Sequence, residues 1–469
     1  EYVIVSKFFN TFIDGLQFHY AQANKFVGAI SLSGVQSIHV SNVNYQNTNS
    51  ICGVNIEDSP SISLFNITDC NFGIAPGDGE AIILHDHSEI QNVNLERITF
   101  TYVLLKLEVS SAVTIDSMNV DGCGGSGYII KVADEFDQQI SISDSEFKSC
   151  QISSIISASE SELSLDNCNF TNNEGSNNGV AISMTSGQRT TVEDCNFDSN
   201  SMVSGLYGGA IYISQAADST DGSLTISKST FKDNSARDNG YDIYSESTTS
   251  SVSLSECSFT HTAGSANKYM IILSNYKLTI SDVQFRSSVN TLYPILFKGV
   301  DFIEGIIFYN VVSHNTVLLN IPEANPYNIY NCPFINCKSS EYVVDVQFTT
   351  FLIADSLFRF EDNTNACRFI RINKAGTPKI LATQFYGGTD PNSNRLVRYS
   401  HTNGNTENDK FTMTGCIFDG HANDPKDRTF FINTNHPIVF EDNTIQNLNG
   451  NAFSGHIQIV TIDEVTITG

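Results

Sequence analysis

The sequence predicts an all-β chain, a single-stranded parallel β-helix of about 18 coils with three short strands per coil, in one continuous domain over residues 1–469. Three observations carry that expectation. A short motif ending in Phe recurs along most of the 469 residues. Each copy is followed by a second short apolar stretch. Ser, Thr, Val, Ile, Phe, Asn and Gly dominate both, which favours strands and turns, and no stretch sustains a 3.6-residue period.

The motif comes first. "ISISDSEF" ends at Phe147, "LSLDNCNF" at Phe170, "TTVEDCNF" at Phe197, "LTISKSTF" at Phe231 and "VSLSECSF" at Phe259. Looser copies extend the slot from Phe18 through Tyr45, Phe72, Phe100 and Val120, and beyond Phe285 to Phe418, Ile445 and Ile467. The slot then has 18 members, 15 of them aromatic, at spacings of 20 to 34 residues. Fourteen of the chain's 31 Phe residues occupy it, far more than scatter would place there. The second stretch follows, as in "AIILHD", "YIIKVA", "AISMTS" and "GAIYIS". A period near 27 residues with short strands fits one coil of a parallel β-helix, which puts each slot above its predecessor in an aromatic stack. Leucine-rich repeats share the period, but they need L-x-x-L-x-L and a helical return, which this chain lacks.

Other residues keep the same register. Cys70, Cys168, Cys195, Cys257, Cys332 and Cys416 stand two before the slot and are expected in the core as small hydrophobes. Cys168 and Cys195 fall in successive coils, and free thiols are expected over a disulfide because stacked side chains run parallel. Asn173, Asn200 and Asn234 stand three after the slot, where a turn asparagine can bond the backbone of neighbouring coils. Gly208 and Gly209 open the strand pattern "AIYIS", so they read as a sharp corner rather than a phosphate loop, which would open a helix.

Charge and composition exclude several function classes. Fifty-one Asp and Glu against 25 Lys and Arg give a formal charge of −26. That balance opposes nucleic-acid phosphate and anionic membranes, and no apolar run is long enough for a membrane-spanning helix. Eleven cysteines without zinc-like spacing exclude a zinc module. No cofactor is expected, with Ca²⁺ left open on so acidic a surface.

The combination of FxxN with GGAI resembles the repeats of polymorphic-membrane-protein-type surface proteins, which are secreted right-handed β-helices. Here FxxN is Phe170–Asn173, Phe197–Asn200 and Phe231–Asn234, and GGAI is complete once, from Gly208 to Ile211. The resemblance implies an extracellular or cell-surface protein with structural or adhesive roles and no catalytic residues. Most coils lack GGAI, and the sequence shows no autotransporter barrel or anchor.

Candidate chemistry is sparse. His85 and His87 share a strand face in "LHDHSE", near Asp86 and Glu89, and could share a metal; a polar outer face is the plainer reading. Asp301 in "VDFIEG" is similar to a pectinesterase nucleophile position, without a partner motif. The insertions "QAADSTDG" and "SHTNGNTENDK", with Asp218, Asp221, Asn403 and Asn405, are places for protein or glycan partners. Sequons at Asn66 and Asn169 permit N-glycosylation. The expected function is a non-enzymatic spacer, coat or adhesin. A polysaccharide-active enzyme and a subunit that self-assembles through its open ends are the alternatives.

Overall fold

The residue three before each Phe slot decides the local structure. It is mostly Asn or Asp, and it takes a left-handed backbone: φ is 48° at Asp144, 51° at Asn167 and 49° at Asp194. Short polar side chains tolerate that conformation best. A second left-handed residue follows two after the slot, with φ of 55° at Ser149, 55° at Asn172 and 58° at Ser199. In the computed structural model of the chain, these two bends break one side of the coil into short straight pieces. One coil thus runs through the strands Tyr128–Val132, Gln139–Ser143, Glu146–Lys148 and Gln151–Ile152 before the next begins at Ser154–Ser159.

The structure describes residues 2–468 apart from the stretches 7–9, 20–25, 48–49, 58–60, 75–79, 86–88, 109–111, 133–138, 186–188, 215–221, 247–250, 263–267, 275–276, 289–291, 298–301, 315–316, 322–326, 348–349, 361–367, 374–376, 388–394, 402–409, 421–429, 435–436, 447–456 and 462–464 and residues 16, 160, 340 and 360. Two compact units, Glu1–Ser251 and Val252–Gly469, are described separately. Each is an all-β parallel solenoid.

In the first unit a parallel sheet builds one face, in register from Tyr2–Ser6 through Phe26–Ser33 and onward to Tyr128–Val132, Ser154–Ser159, Ile182–Thr185, Ile211–Ser214 and Ile243–Glu246. Alternate residues such as Ile130, Ile156, Ile182 and Ile211 point into the core and are fully buried. On the opposite side Phe147, Phe170, Phe197 and Phe231 stack with ring centroids 4.8, 5.0 and 4.7 Å apart. That spacing is set by the distance between paired strands, about 4.8 Å. In the second unit Phe308, Phe334, Phe358, Phe385 and Phe418 stack at 4.6, 4.6, 5.2 and 4.8 Å.

The expected single column is corrected in both units. Phe18, Tyr45, Phe72 and Phe100 pair with one another. Val120, however, pairs with Leu95 and Phe147, not with Phe100. The Phe100 column passes instead to Gly125, where a Cβ would lie 2.6 Å from the Phe100 ring. In the second unit Phe285 pairs with Ser313, and Phe308 with Ile280. The cause is the pair of bends. Both precede a strand whose inward residue can be aromatic, so Phe can follow either bend. Each shift moves the aromatic side chain from one bend to the other and leaves one slot per coil.

The bends also explain the small residue two before the slot. Cys168 Sγ donates to Asp166 O at 3.3 Å and Cys195 Sγ to Glu193 O at 3.1 Å. Elsewhere Ser145, Ser229, Ser356 and Thr383 donate in the same way, to Ser143 O, Ser227 O, Ala354 O and Leu381 O. The position selects a small donor that adds a second hydrogen bond to a carbonyl already accepting from the bend residue of the neighbouring coil, as Asp166 O does from Asp144 N at 3.1 Å and Glu193 O from Asn167 N at 3.1 Å. Cys70, Cys257, Cys332 and Cys416 make the equivalent contact. All six cysteines are buried free thiols, including Cys168 and Cys195. Burial pushes the thiols of Cys70, Cys332 and Cys416 up to about 11.

Candidate functional site

In each unit the outer face of the sheet described above gathers charged and aromatic side chains. Its strands alternate inward apolar and outward residues, and parallel in-register pairing repeats each outward position one coil later. In the first unit one outward row runs Ile83, Lys106, Lys131, Ser157, Ser183, Tyr212, Tyr244. Beside it, His85 pairs with Glu108.

Lys106 is the hub of this row. Its Nζ lies 2.7 Å from Glu108 Oε1 and 3.0 Å from Glu80 Oε1. Burial opposes its charge, but hydrogen bonds to Glu108 and Glu80 outweigh that and raise its pKa. Glu108 Oε2 in turn meets His85 Nδ1 at 3.1 Å. Glu80 is 5% exposed, and its Oε2 has no hydrogen-bond partner. Further along, Lys131 lies over the Tyr102 ring, which meets Tyr128 edge-on at 6.3 Å. Tyr244 then stacks with Tyr207 and Tyr212.

In the second unit the row runs Asn320, Asp345, Arg371, Arg398. Arg371 Nε and Nη2 meet the two Asp345 oxygens at 2.8 and 2.6 Å, and its Nη1 meets Glu341 Oε2 at 2.6 Å. Asp345 is 1% exposed, so the bidentate contact offsets the loss of hydration that burial imposes on the carboxylate. The hydrogen bonds to Asp345 raise the Arg371 pKa. The same guanidinium lies 5.2 Å from the centre of the Tyr342 ring.

The residues singled out in the sequence fall as follows. His85 joins Glu108, while His87 and Asp86 lie outside the described residues, as do Asp218, Asp221, Asp301, Asn403 and Asn405. Among the described residues no group of three or more His, Cys, Asp or Glu is arranged to hold a metal ion. Asn66 is half-buried, with Nδ2 2.7 Å from His39 Nδ1, and Asn94 donates to its Oδ1 at 3.0 Å. Asn169 is exposed, beside the buried Phe170. Asn173, Asn200 and Asn234 form a buried chain: Asn173 Nδ2 donates to Asn200 Oδ1 at 2.9 Å, Asn200 Nδ2 to Asn234 Oδ1 at 3.0 Å, and Asn234 Nδ2 to Asp242 Oδ1 at 2.9 Å. Each Asn also donates to the carbonyl of the preceding Phe slot: Phe147 O, Phe170 O and Phe197 O, all at 2.9 Å. The Lys106 and Arg371 clusters were missed because their members stand about one coil apart in sequence. Reading residues at that offset would have found them.

Residues 81–276 match the family model of the right handed beta helix region. Over that stretch the chain is similar to right-handed β-helices. No curated protein and no solved structure matches the chain. The match covers Lys106 with His85 and Glu108, though not Glu80, and it covers the asparagine chain and the stacked Phe147 to Phe231, in keeping with a right-handed parallel β-helix there.

Proposed function

We propose that this protein is a non-enzymatic, extracellular or cell-surface β-helix, a spacer that presents an adhesin-like outer face to glycan or protein partners. One observation carries the reading: the charges clustered at Lys106 and at Arg371 on that face are held by one another across coils. Lys106 engages both Glu80 and Glu108, and Arg371 engages Asp345 and Glu341. Such a surface is rigid and ready to bind, but it commits its carboxylates to lysine and arginine. The likeness to polymorphic-membrane-protein-type repeats gains a physical basis, since the Asn of each FxxN donates to the Phe carbonyl one coil earlier. The exposed sequon at Asn169 is compatible with a secreted chain.

A polysaccharide-active enzyme is the second reading. Glu80 and Glu108 both contact the Lys106 ammonium, at 3.0 and 2.7 Å, so two carboxylates, the residue type that glycoside hydrolysis uses in pairs, meet on one outer face, and Glu80 Oε2 is unpartnered. A glycan array probed with the whole chain, followed by a turnover assay on every glycan that binds, separates the two. Binding without cleavage supports the spacer and adhesin. Cleavage abolished by Glu80→Gln overturns it in favour of the enzyme.

A further inference from the structure

Outward positions of a solvated strand are normally polar, and the first unit follows that rule. Its strands Gln139–Ser143, Glu162–Asp166, Arg189–Glu193 and Ser223–Ser227 present Ser141, Ser164, Thr191 and Thr225 outward, beside Asp166 and Glu193. The second unit departs from it. On the strands Ile307–Tyr309, Pro333–Ile335, Leu357–Arg359, Gln384–Gly387 and Ile417–Gly420 the inward residues are the stacked Phe column, and the outward ones are largely apolar. Pro333, Leu357, Gln384 and Ile417 follow one another in register. Ile307 opens the same row, since Phe308 beside it is in register with Phe334. Tyr309, Ile335, Arg359 and Tyr386 form a second row two residues on.

The apolar surface continues across the preceding bend, where Tyr330 and Leu381 flank Ala354 in register on the neighbouring sheet. Ile307 is 44% and Tyr309 38% exposed, and the other apolar members of the two rows are half-buried. Charge on this strip is mixed. Arg359 and Lys379 are offset by Glu304, Asp355 and Asp419, so the strip is close to neutral on a chain of formal charge −26. Five coils at about 4.8 Å and six residues at about 3.3 Å give a face of about 24 by 20 Å, or about 500 Å². Apolar residues scattered singly over a surface need no explanation, but a contiguous patch of that size marks an interaction site.

We propose that this strip is a lateral docking surface for a second copy of this chain, so that two solenoids pack side by side. Three arguments select that occupant. Two copies would together bury about 1,000 Å², the lower limit for a specific protein interface. The strip is close to neutral, so copies can meet there despite the repulsion that a formal charge of −26 imposes elsewhere. Both copies also carry rungs at one spacing, so the side chains of one fit between the rungs of the other, as in sheet-on-sheet packing. A partner of different architecture would lose that match within a few coils. A contact that uses the same strip on both copies closes at two. The Arg371 cluster lies on a different sheet of the coil and stays uncovered. The dimer does not rest on the binding-surface reading above, but it would double the outer faces offered to a partner with repeated sites.

The test follows the whole chain by sedimentation velocity up to about 100 μM, the range in which a small interface associates. Flotation with neutral phosphatidylcholine vesicles is the second readout. The wild type is compared with Ile307→Thr and Leu357→Glu on the strip and with Thr191→Glu on the polar face of the first unit, each checked for an unchanged melting temperature. Ile307→Thr restores the residue type used in the first unit and keeps strand propensity, so the test stands even where Leu357→Glu fails to fold. The expected result is a reversible monomer–dimer equilibrium in the micromolar range. It should weaken about tenfold in Ile307→Thr and about a hundredfold in Leu357→Glu, which sets a carboxylate in the dry centre, and remain unchanged in Thr191→Glu. A monomer at every concentration, or association that both strip variants leave unchanged, overturns the proposal. Vesicle binding without dimers, lost in Leu357→Glu, would assign the strip to a lipid surface and overturn it as well.

Discussion

Replacing Asn200 with Ala should cost the first unit about 4 kcal/mol. Asn200 is fully buried, and its side chain makes four hydrogen bonds. Its Nδ2 donates to Phe170 O at 2.9 Å and to Asn234 Oδ1 at 3.0 Å, and its Oδ1 accepts from Asn173 Nδ2 at 2.9 Å and Asn173 N at 3.4 Å. A made bond contributes about 1 kcal/mol net, and a buried group left without a partner costs about 1–3 kcal/mol. The four bonds alone give the 4 kcal/mol figure, and orphaned Asn173 N–H adds to it. Solenoid stability is a sum over neighbouring repeats, so the loss should be local. Amide hydrogen exchange is therefore the suitable assay. Protection at Asn173 should fall about a thousandfold, at tenfold per 1.4 kcal/mol, while amides in the second unit keep theirs. Asn169→Ala, on the exposed face, should change stability by no more than about 0.5 kcal/mol. A loss below about 1 kcal/mol for Asn200→Ala, or equal losses for the two variants, would refute a supporting role for the buried asparagine chain.

Three further expectations rest on the same geometry. Gly209→Ala places a Cβ 2.1 Å from Tyr241 O and 2.7 Å from Ser235 O, so it should destabilise by about 3 kcal/mol in urea unfolding; an unchanged midpoint would show that the coils can separate there freely. Ala382 holds φ at 44° in a bend position that Asn, Asp or Gly fill in most coils, and Ala382→Gly should stabilise the second unit by about 0.5–1 kcal/mol despite glycine's extra freedom when unfolded. The buried thiols of Cys70, Cys332 and Cys416 are raised to about 11 and that of Cys337 to about 12, against about 8.5 in an unfolded chain. The folded state thus favours the protonated thiols. Their contribution should be intact below pH ~8.5 and lost as the pH rises towards 11–12, so the urea midpoint should fall across that window and remain level between pH 7 and 8. The nine described buried thiols should also resist iodoacetamide at neutral pH until urea unfolds the chain.

The repeat was legible because its most demanding positions accept few residues. The stacked Phe must fill a fixed gap, the residue two before it must be small, and the asparagine chain needs an amide at Asn173, Asn200 and Asn234. The column shift at Phe100 and Val120 was less legible. Both bends precede a strand that can carry an inward aromatic side chain, and only the short spacing of 20 residues marks the change. The left-handed role of Asp144, Asn167 and Asp194 was hidden within a run of polar residues. The outer face was hardest to read, because Glu80, Lys106 and Glu108 meet only when coils stack, and solvent-facing positions carry no apolar pattern.

The central structural claim is that coils stack in register through two separate bend columns, so that Leu95, not Phe100, precedes Val120. It can be tested by pairing cysteines on the outward residues next to these positions. Glu96 and Asp121 are in register, whereas one continuous Phe column would instead place Thr101 beside Asp121. With the nine described native thiols buried, a short bifunctional thiol reagent should cross-link the chain carrying Glu96→Cys and Asp121→Cys, detected as a linked peptide by mass spectrometry. It should leave the chain carrying Thr101→Cys and Asp121→Cys unlinked. Cross-linking of the second pair and not the first would contradict the account.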